Sequence, residues 1–295
     1  MPSKVESRRG NRWSAALLVV VGVACVHRPE VLAMPDHPQI EEFKTRVGFD
    51  AAPAPGPEGA GLVVEWPDPL GLAYFRQGDW QLVSRSLWAH APGIAKAYWV
   101  LRSGEAMVKI EIAVSSRGAG AARSHLLEMA SNTMAVTIPY GPGPEEVGDI
   151  CIQSRELPQL HTLMWVYQNI FVQLSREEGS SLLPLAHELQ ALLEEQSVED
   201  LSARVPRLAG FEISAERVPL GDSLEARARV APEVSPRVRI QVMDPERHLV
   251  AISDEGTKVM LRAESVGATE VVAMVVDRAT LLSSFEALPV EVYEP

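Results

Sequence analysis

Cys151 stands between Ile150 and Ile152, and His161 follows ten residues later. A thiol attacks only as the thiolate, which needs a neighbouring base or a positive setting. The apolar flanks supply neither, so Cys151 is expected as a small buried apolar residue. His125 and Glu128 fall one turn apart on a stretch that reads as a helix, a pair able to share a metal ion. No third ligand stands near them in the sequence, and two ligands do not make a catalytic site. Neither a metal nor another cofactor is therefore expected. His187-Glu188 lacks the second histidine of a metalloprotease helix, because position 191 is Ala. His27, His37, His90, His161 and His248 are scattered singly. Arg117-Gly118-Ala119-Gly120-Ala121-Ala122-Arg123 follows a strand and opens a helix, the setting of a dinucleotide-binding loop. Arg123 replaces the third glycine and the preceding strands look antiparallel, so a plain turn is expected. Trp66, Trp80, Trp88, Trp99 and Trp165 interleave with strand-spaced apolar residues, the pattern of core packing. If a ligand cleft lies between the 180–195 helix and the sheet, Trp99, Trp165 and Tyr167 line it.

Gly221-Asp222-Ser223-Leu224 resembles the name motif of the GDSL hydrolases. The resemblance implies Ser223 as nucleophile at a strand end, opening a helix. Here Glu225 to Val230 alternate as a strand instead. The family's Asp-x-x-His has its nearest counterpart in Asp244-Pro245-Glu246-Arg247-His248, one residue too long. A triad needs nucleophile, base and orienting acid together, so the motif is expected as a turn and the chain as non-enzymatic.

The elements that would carry these residues read as an α+β unit over 61–200. Leu62 to Trp66 is strand-like, Asp79 to Leu87 is a second run, and Tyr98 to Val114 reads as a hairpin turning at Ser103-Gly104. Val108, Ile110, Ile112 and Val114 alternate with Lys109, Glu111 and Ala113, so one face is buried. Ala119 to Met134 is a helix, with Leu126, Leu127, Met129, Ala130 and Met134 on its apolar stripe. From Val147 to Glu195 the chain reads strand, loop, strand, helix, with Leu163 to Leu174 as one β run and leucines at helical spacing from Ser180. About five strands and two covering helices are expected, in a mostly antiparallel sheet. The order of elements resembles PsbP-like modules.

Residues 207–295 hold about seven short β runs split by turn signals such as Asp254-Glu255-Gly256, which predicts an all-β sandwich. Val218-Pro219-Leu220-Gly221-Asp222-Ser223-Leu224 and Val272 to Asp277 resemble strands of a bacterial immunoglobulin-like domain. No Cys and no Trp occur in this stretch, so the antibody-type signature is missing.

Lys4, Arg8, Arg9 and Arg12 precede an apolar run of 14 residues, Trp13 to Val26. That is too short for a membrane span and has the form of an export signal. Cleavage before Met34 would give a signal of 1–33. Gly22-Val23-Ala24-Cys25 resembles a bacterial lipobox, which implies removal of 1–24 and lipidation at Cys25. Pro53, Pro55 and Pro57 with Gly56 and Gly59 suggest that 34–60 is a tether. The whole chain has a net charge of −12, and loss of 1–24 takes four positive charges and one negative, leaving −15. Such a balance argues against nucleic acid and anionic lipid as partners, and leaves a lipid anchor as the sole expected membrane contact. The sequence thus points to an exported or envelope-anchored binding or adaptor protein whose partner is another envelope protein. The alternative is a small-molecule or lipid binder.

Overall fold

The computed structural model describes residues 38–51, 60–62, 68–132, 138–155, 161–176, 181–195, 198–200 and 203–295. The expected export segment 1–33, with Cys25, and the Pro/Gly stretch 52–59 lie outside the described residues. The chain forms an α+β unit followed by an all-β unit.

In chain order the first unit comprises α1 (Pro38–Arg46), β1 (Ala60–Leu62), α2 (Ala73–Arg76), β2 (Gln81–Ala91), β3 (Ile94–Ser103), β4 (Ala106–Ser115), α3 (Ala119–Ser131), β5 (Tyr140–Pro142), β6 (Ile150–Ser154), β7 (His161–Tyr167), β8 (Ile170–Arg176), α4 (Leu183–Glu194) and β9 (Val198–Asp200). Seven strands make one sheet in the order β2-β3-β4-β8-β7-β6-β5, antiparallel throughout. The expected single run from Leu163 to Leu174 is two strands. The chain reverses at Gln168, which takes φ +53 while its N–H is held by the Asp149 carboxylate at 2.9 Å. No glycine or proline marks that turn, so the pattern of β-formers ran straight through it.

Each face of this sheet is covered. Trp99, Leu101, Ile110, Ile112, Trp165, Val172 and Leu174 point to one side and pack with Leu185, Leu189 and Leu193 of α4. These leucines stand four apart, so they fall on one stripe of the helix. The opposite face carries Ile152, Met164, Val166 and Phe171 and packs with Ala122, Leu126 and Ala130 of α3.

Residues 38–46, within the stretch 34–60 expected as a tether, form the helix α1. Ile40 and Phe43 stand one turn apart in α1, and Phe43 is 1% exposed in the core beneath α3. Arg46 donates from Nη2 to the carbonyls of Ile138 and Tyr140, each at 3.2 Å, and so pins the helix beside β5. Burial of one phenylalanine gives about 2 kcal/mol, enough to hold a short helix that propensity alone would leave frayed. Ala60–Leu62 pairs with Val198–Asp200, which gives the charged stretch after α4 a place in the unit.

The second unit holds β10 (Leu208–Ile213), β11 (Arg217–Pro219), β12 (Ser223–Val230), β13 (Val238–Met243), β14 (Leu249–Asp254), β15 (Lys258–Ala263), β16 (Gly267–Asp277) and β17 (Ser283–Tyr293). It has two sheets of four strands, β10-β12-β15-β14 and β11-β17-β16-β13. Val238, Ile240, Val242, Val271, Ala273 and Val275 face Ala226, Ala228, Val259 and Leu261 across the core between them.

The two units share a core. Met274, Val276, Leu281 and Leu282 belong to the same buried cluster as Trp99 and Leu101. Thus β16 buries Val271, Ala273 and Val275 on one side and Met274 and Val276 on the other. Polar contacts run along the same seam. The Ala89 N–H donates to Gln241 Oε1 at 3.1 Å, the Ser283 N–H to Ser116 Oγ at 2.8 Å, and Arg239 to the Leu87 carbonyl. The all-β unit is therefore docked on the first sheet through β13, β16 and the segment 281–283.

Candidate functional site

Ser223 opens β12 on the exposed surface, just after the turn at Gly221 (φ +89), with Arg262 as its Cα partner. His248 lies two strands away, across β15, which places it roughly 10 Å off at ordinary strand spacing. Its Nδ1 faces Ser265 Oγ at 2.8 Å. Asp244 accepts hydrogen bonds from the N–H groups of Glu246 and Leu249 and from the Thr269 hydroxyl, and so closes its own loop. The four-residue motif is the end of a turn, Gly221-Asp222, running into the first two residues of β12.

Cys151 lies on β6 opposite Trp165. His161 begins β7 four residues from Trp165, about 13 Å along the strand. Burial, with the nearby Glu146 carboxylate, pushes the Cys151 thiol up to about 12. Iodoacetamide labelling of Cys151 at pH 8 is accordingly expected to run at least about a hundredfold slower in the folded chain than in urea, because so little thiolate is present. Equal rates, followed by mass spectrometry, would show an open thiol.

His187 meets Glu146 at 3.2 Å on the surface. Glu188 has a structural task, since its carboxylate accepts from the N–H groups of Ala73 and Tyr74 at 2.5 and 2.9 Å and caps α2. Gly118 (φ +92) forms the turn into α3, between a strand of an antiparallel sheet and its covering helix. The setting lacks the parallel strands of a dinucleotide fold.

The three aromatic residues proposed to line a cleft do share one face of the sheet. Trp99 is 2% and Trp165 0% exposed, and Tyr167 packs partly buried against the same core. Trp99 and Trp165 belong to the core that also takes in Leu185, Leu189 and Leu193 of α4. A cavity of about 320 Å³ does lie near the start of α4, lined by Gln153, Ser154, Thr162, Leu163 and Leu182, but not by these aromatics.

The pair His125 and Glu128 has a third member that the sequence did not place beside it. His90, His125 and Glu128 converge between β2 and α3, each offering a ligand atom within 4.8 Å of the others. His125 Nδ1 is 3.0 Å from Glu128 Oε2, and His90 Nε2 is 3.9 Å from the same oxygen. The two imidazoles meet edge to face with ring centroids 4.8 Å apart, and His125 also abuts Phe171 at 4.9 Å. His90 arrives there because β2 carries a bulge. Ala89 pairs with Ala95 and Ala91 with Ile94, so His90 has no partner in the ladder. A bulge re-aims the side chain it carries. Burial pushes the His125 imidazole down to about 4, against the pull of its hydrogen bond with Glu128. Burial raises the Glu128 carboxyl, but the hydrogen bond from His125 and the nearby His90 outweigh it and hold the group below the ordinary carboxylate range. Beside them Lys96, 4% exposed, sits 2.7 Å from the Glu111 carboxylate.

A second feature lies where the two units meet. An open groove of about 770 Å³ is lined by Arg85, Ser86 and Leu87 of β2 and by Arg239, Gln241, Asp254 and Arg278 of the all-β unit, among others. Arg85 leans over the Trp99 ring at 5.7 Å. No described carboxylate forms an ion pair with Arg85, Arg239 or Arg278. No described helix is long and apolar enough to cross a membrane. No model of a known protein family matches the chain, and no curated protein matches it.

Proposed function

We propose that the chain is a non-enzymatic binding or adaptor protein of the bacterial cell envelope, exported through its N-terminal segment and holding a partner protein in the groove between its two units. The all-β unit is, on this reading, an immunoglobulin-like module used as a docking platform. The observation that carries the proposal is the groove itself. It places three arginines and one aspartate together on a chain whose net charge is −12. Guanidinium groups with no described carboxylate partner attract carboxylates and fix them in bidentate geometry, so the partner presents an acidic segment. The open shape of the groove suits an extended stretch of polypeptide better than an enclosed small molecule. Trp99 and Trp165, packed in the core, leave the junction as the place where binding is best supported.

The test is a photo-crosslinker at Ser86 in the full chain, expressed in the native envelope, beside the same protein carrying Arg85→Glu and Arg278→Glu. A crosslinked partner that falls at least about tenfold in the double variant supports the reading, since each charge pair lost at an interface costs on the order of 1 kcal/mol or more. Equal recovery from both proteins, or none from either, overturns it.

A further inference from the structure

We infer that His90, His125 and Glu128 form a binding site for a divalent ion of the zinc class, with one coordination position left open. The argument begins with the ligand set. Two imidazoles and one carboxylate suit Zn²⁺ and its neighbours, whereas magnesium and calcium prefer oxygen alone. Three protein ligands with a water in the fourth place is the arrangement that keeps such an ion reactive toward, or able to capture, a further group.

The spacing fits. Ligand atoms about 2.0–2.2 Å from a tetrahedral ion stand ~3.3 Å from one another. His125 Nδ1 and Glu128 Oε2 are 3.0 Å apart, and His90 Nε2 is 3.9 Å from that same oxygen. Both imidazoles thus converge on one carboxylate oxygen, and the three ligand atoms, within 4.8 Å of one another, draw closer when an ion is held. The supporting elements are rigid. His125 and Glu128 project from one face of α3 at i and i+3, while His90 is delivered by the bulge in β2. Access is one-sided. The His125 side chain is 1% exposed, but those of His90 and Glu128 are 17% and 11% exposed, so the open position faces the outer edge of the helix. Lys96, buried nearby, is turned to Glu111 at 2.7 Å and makes no ion pair with Glu128 among the described residues.

The experiment uses the full chain, stripped with a chelator and titrated with Zn²⁺ against a chromophoric competitor, and separately with Co²⁺ in the absorption spectrometer. One equivalent of Zn²⁺ and a strong Co²⁺ band between about 500 and 650 nm, the mark of four-coordinate geometry, are expected. His90→Asn and Glu128→Gln, both at the open edge, should each weaken Zn²⁺ by more than about tenfold, as loss of even an outer partner of such a site does. Failure to bind one equivalent, a purely six-coordinate Co²⁺ spectrum, or unchanged affinity in both variants overturns the site. In that last case the ion sits elsewhere, with His27 and His37 as the first suspects. The Co²⁺ spectrum of the unaltered protein decides the matter even if a variant folds poorly.

Discussion

Trp165→Ala is expected to cost about 3–5 kcal/mol of unfolding free energy, the range for removing a large aromatic from a packed core. The ring is 0% exposed and lies on β7 between Cys151 of β6 and Val172 of β8. A Cβ placed on Gly148 would meet its Cδ1 at 2.6 Å, so the backbone is drawn tight around the indole and has little freedom to collapse into the space. The indole N–H makes no hydrogen bond among the described residues. Trp165→Phe, which removes that orphaned donor along with part of the ring, should therefore be far milder than Trp165→Ala. Urea denaturation of the three proteins separates two roles. A core residue gives this steep ordering in stability. A residue lining a ligand cleft would give losses under about 1 kcal/mol, as substitutions outside packed sites do.

The metal-free chain should lose about 3 kcal/mol of stability between pH 7 and pH 4. Unfolded, His125 takes up a proton near pH 6.5, while in the folded chain burial delays this until about 4. Across that window the unfolded state binds more protons, so acidification favours it, and the gap corresponds to ~3 kcal/mol at 1.36 kcal/mol per pH unit. The contribution is complete above pH 6.5, falls as the pH drops and levels off below about 4. Glu128 acts in the same direction at lower pH. Its carboxyl is held below its unfolded value, so what it contributes is present above about pH 4.5 and is lost on further acidification. The other charged groups facing His125 are Lys96 and His90, both of which oppose its protonation. Denaturant midpoints taken at half-unit steps in the presence of a chelator read this directly. The slope should flatten in His125→Gln, and a flat profile in the unaltered protein would show that His125 is open to water.

Much of the first unit was written in its periodicity. Val108, Ile110, Ile112 and Val114 alternate and become β4, and the four-residue spacing of Leu185, Leu189 and Leu193 becomes the buried stripe of α4. The second unit announced its strands but not their environment. Val271 to Val276 is an unbroken apolar run, which a strand needs when both its faces are covered. Read as part of a free sandwich it lacked a second partner, and that partner is the first sheet, about 170 residues earlier in the chain. The candidate metal centre was half legible. His125 and Glu128 share a helix and so declare their proximity, whereas His90 is 35 residues from His125 and sits at one of the two places in β2 where strand alternation fails. Periodic reasoning assigns faces by counting in twos, and a bulge resets the count without leaving a glycine or proline to mark it.

That reset has a hereditary consequence. Ala89 and Ala91 already pair with Ala95 and Ile94, which are neighbours in β3, so the ladder is complete on either side of His90. Delete the one codon and the two strands would still meet in register, with every core side chain on its present face. Insert it and an imidazole appears beside α3 without any other residue changing place. The chain can therefore gain or lose its third ligand in a single step that leaves the rest of the sheet indifferent, and lineages carrying this fold should divide cleanly at that position.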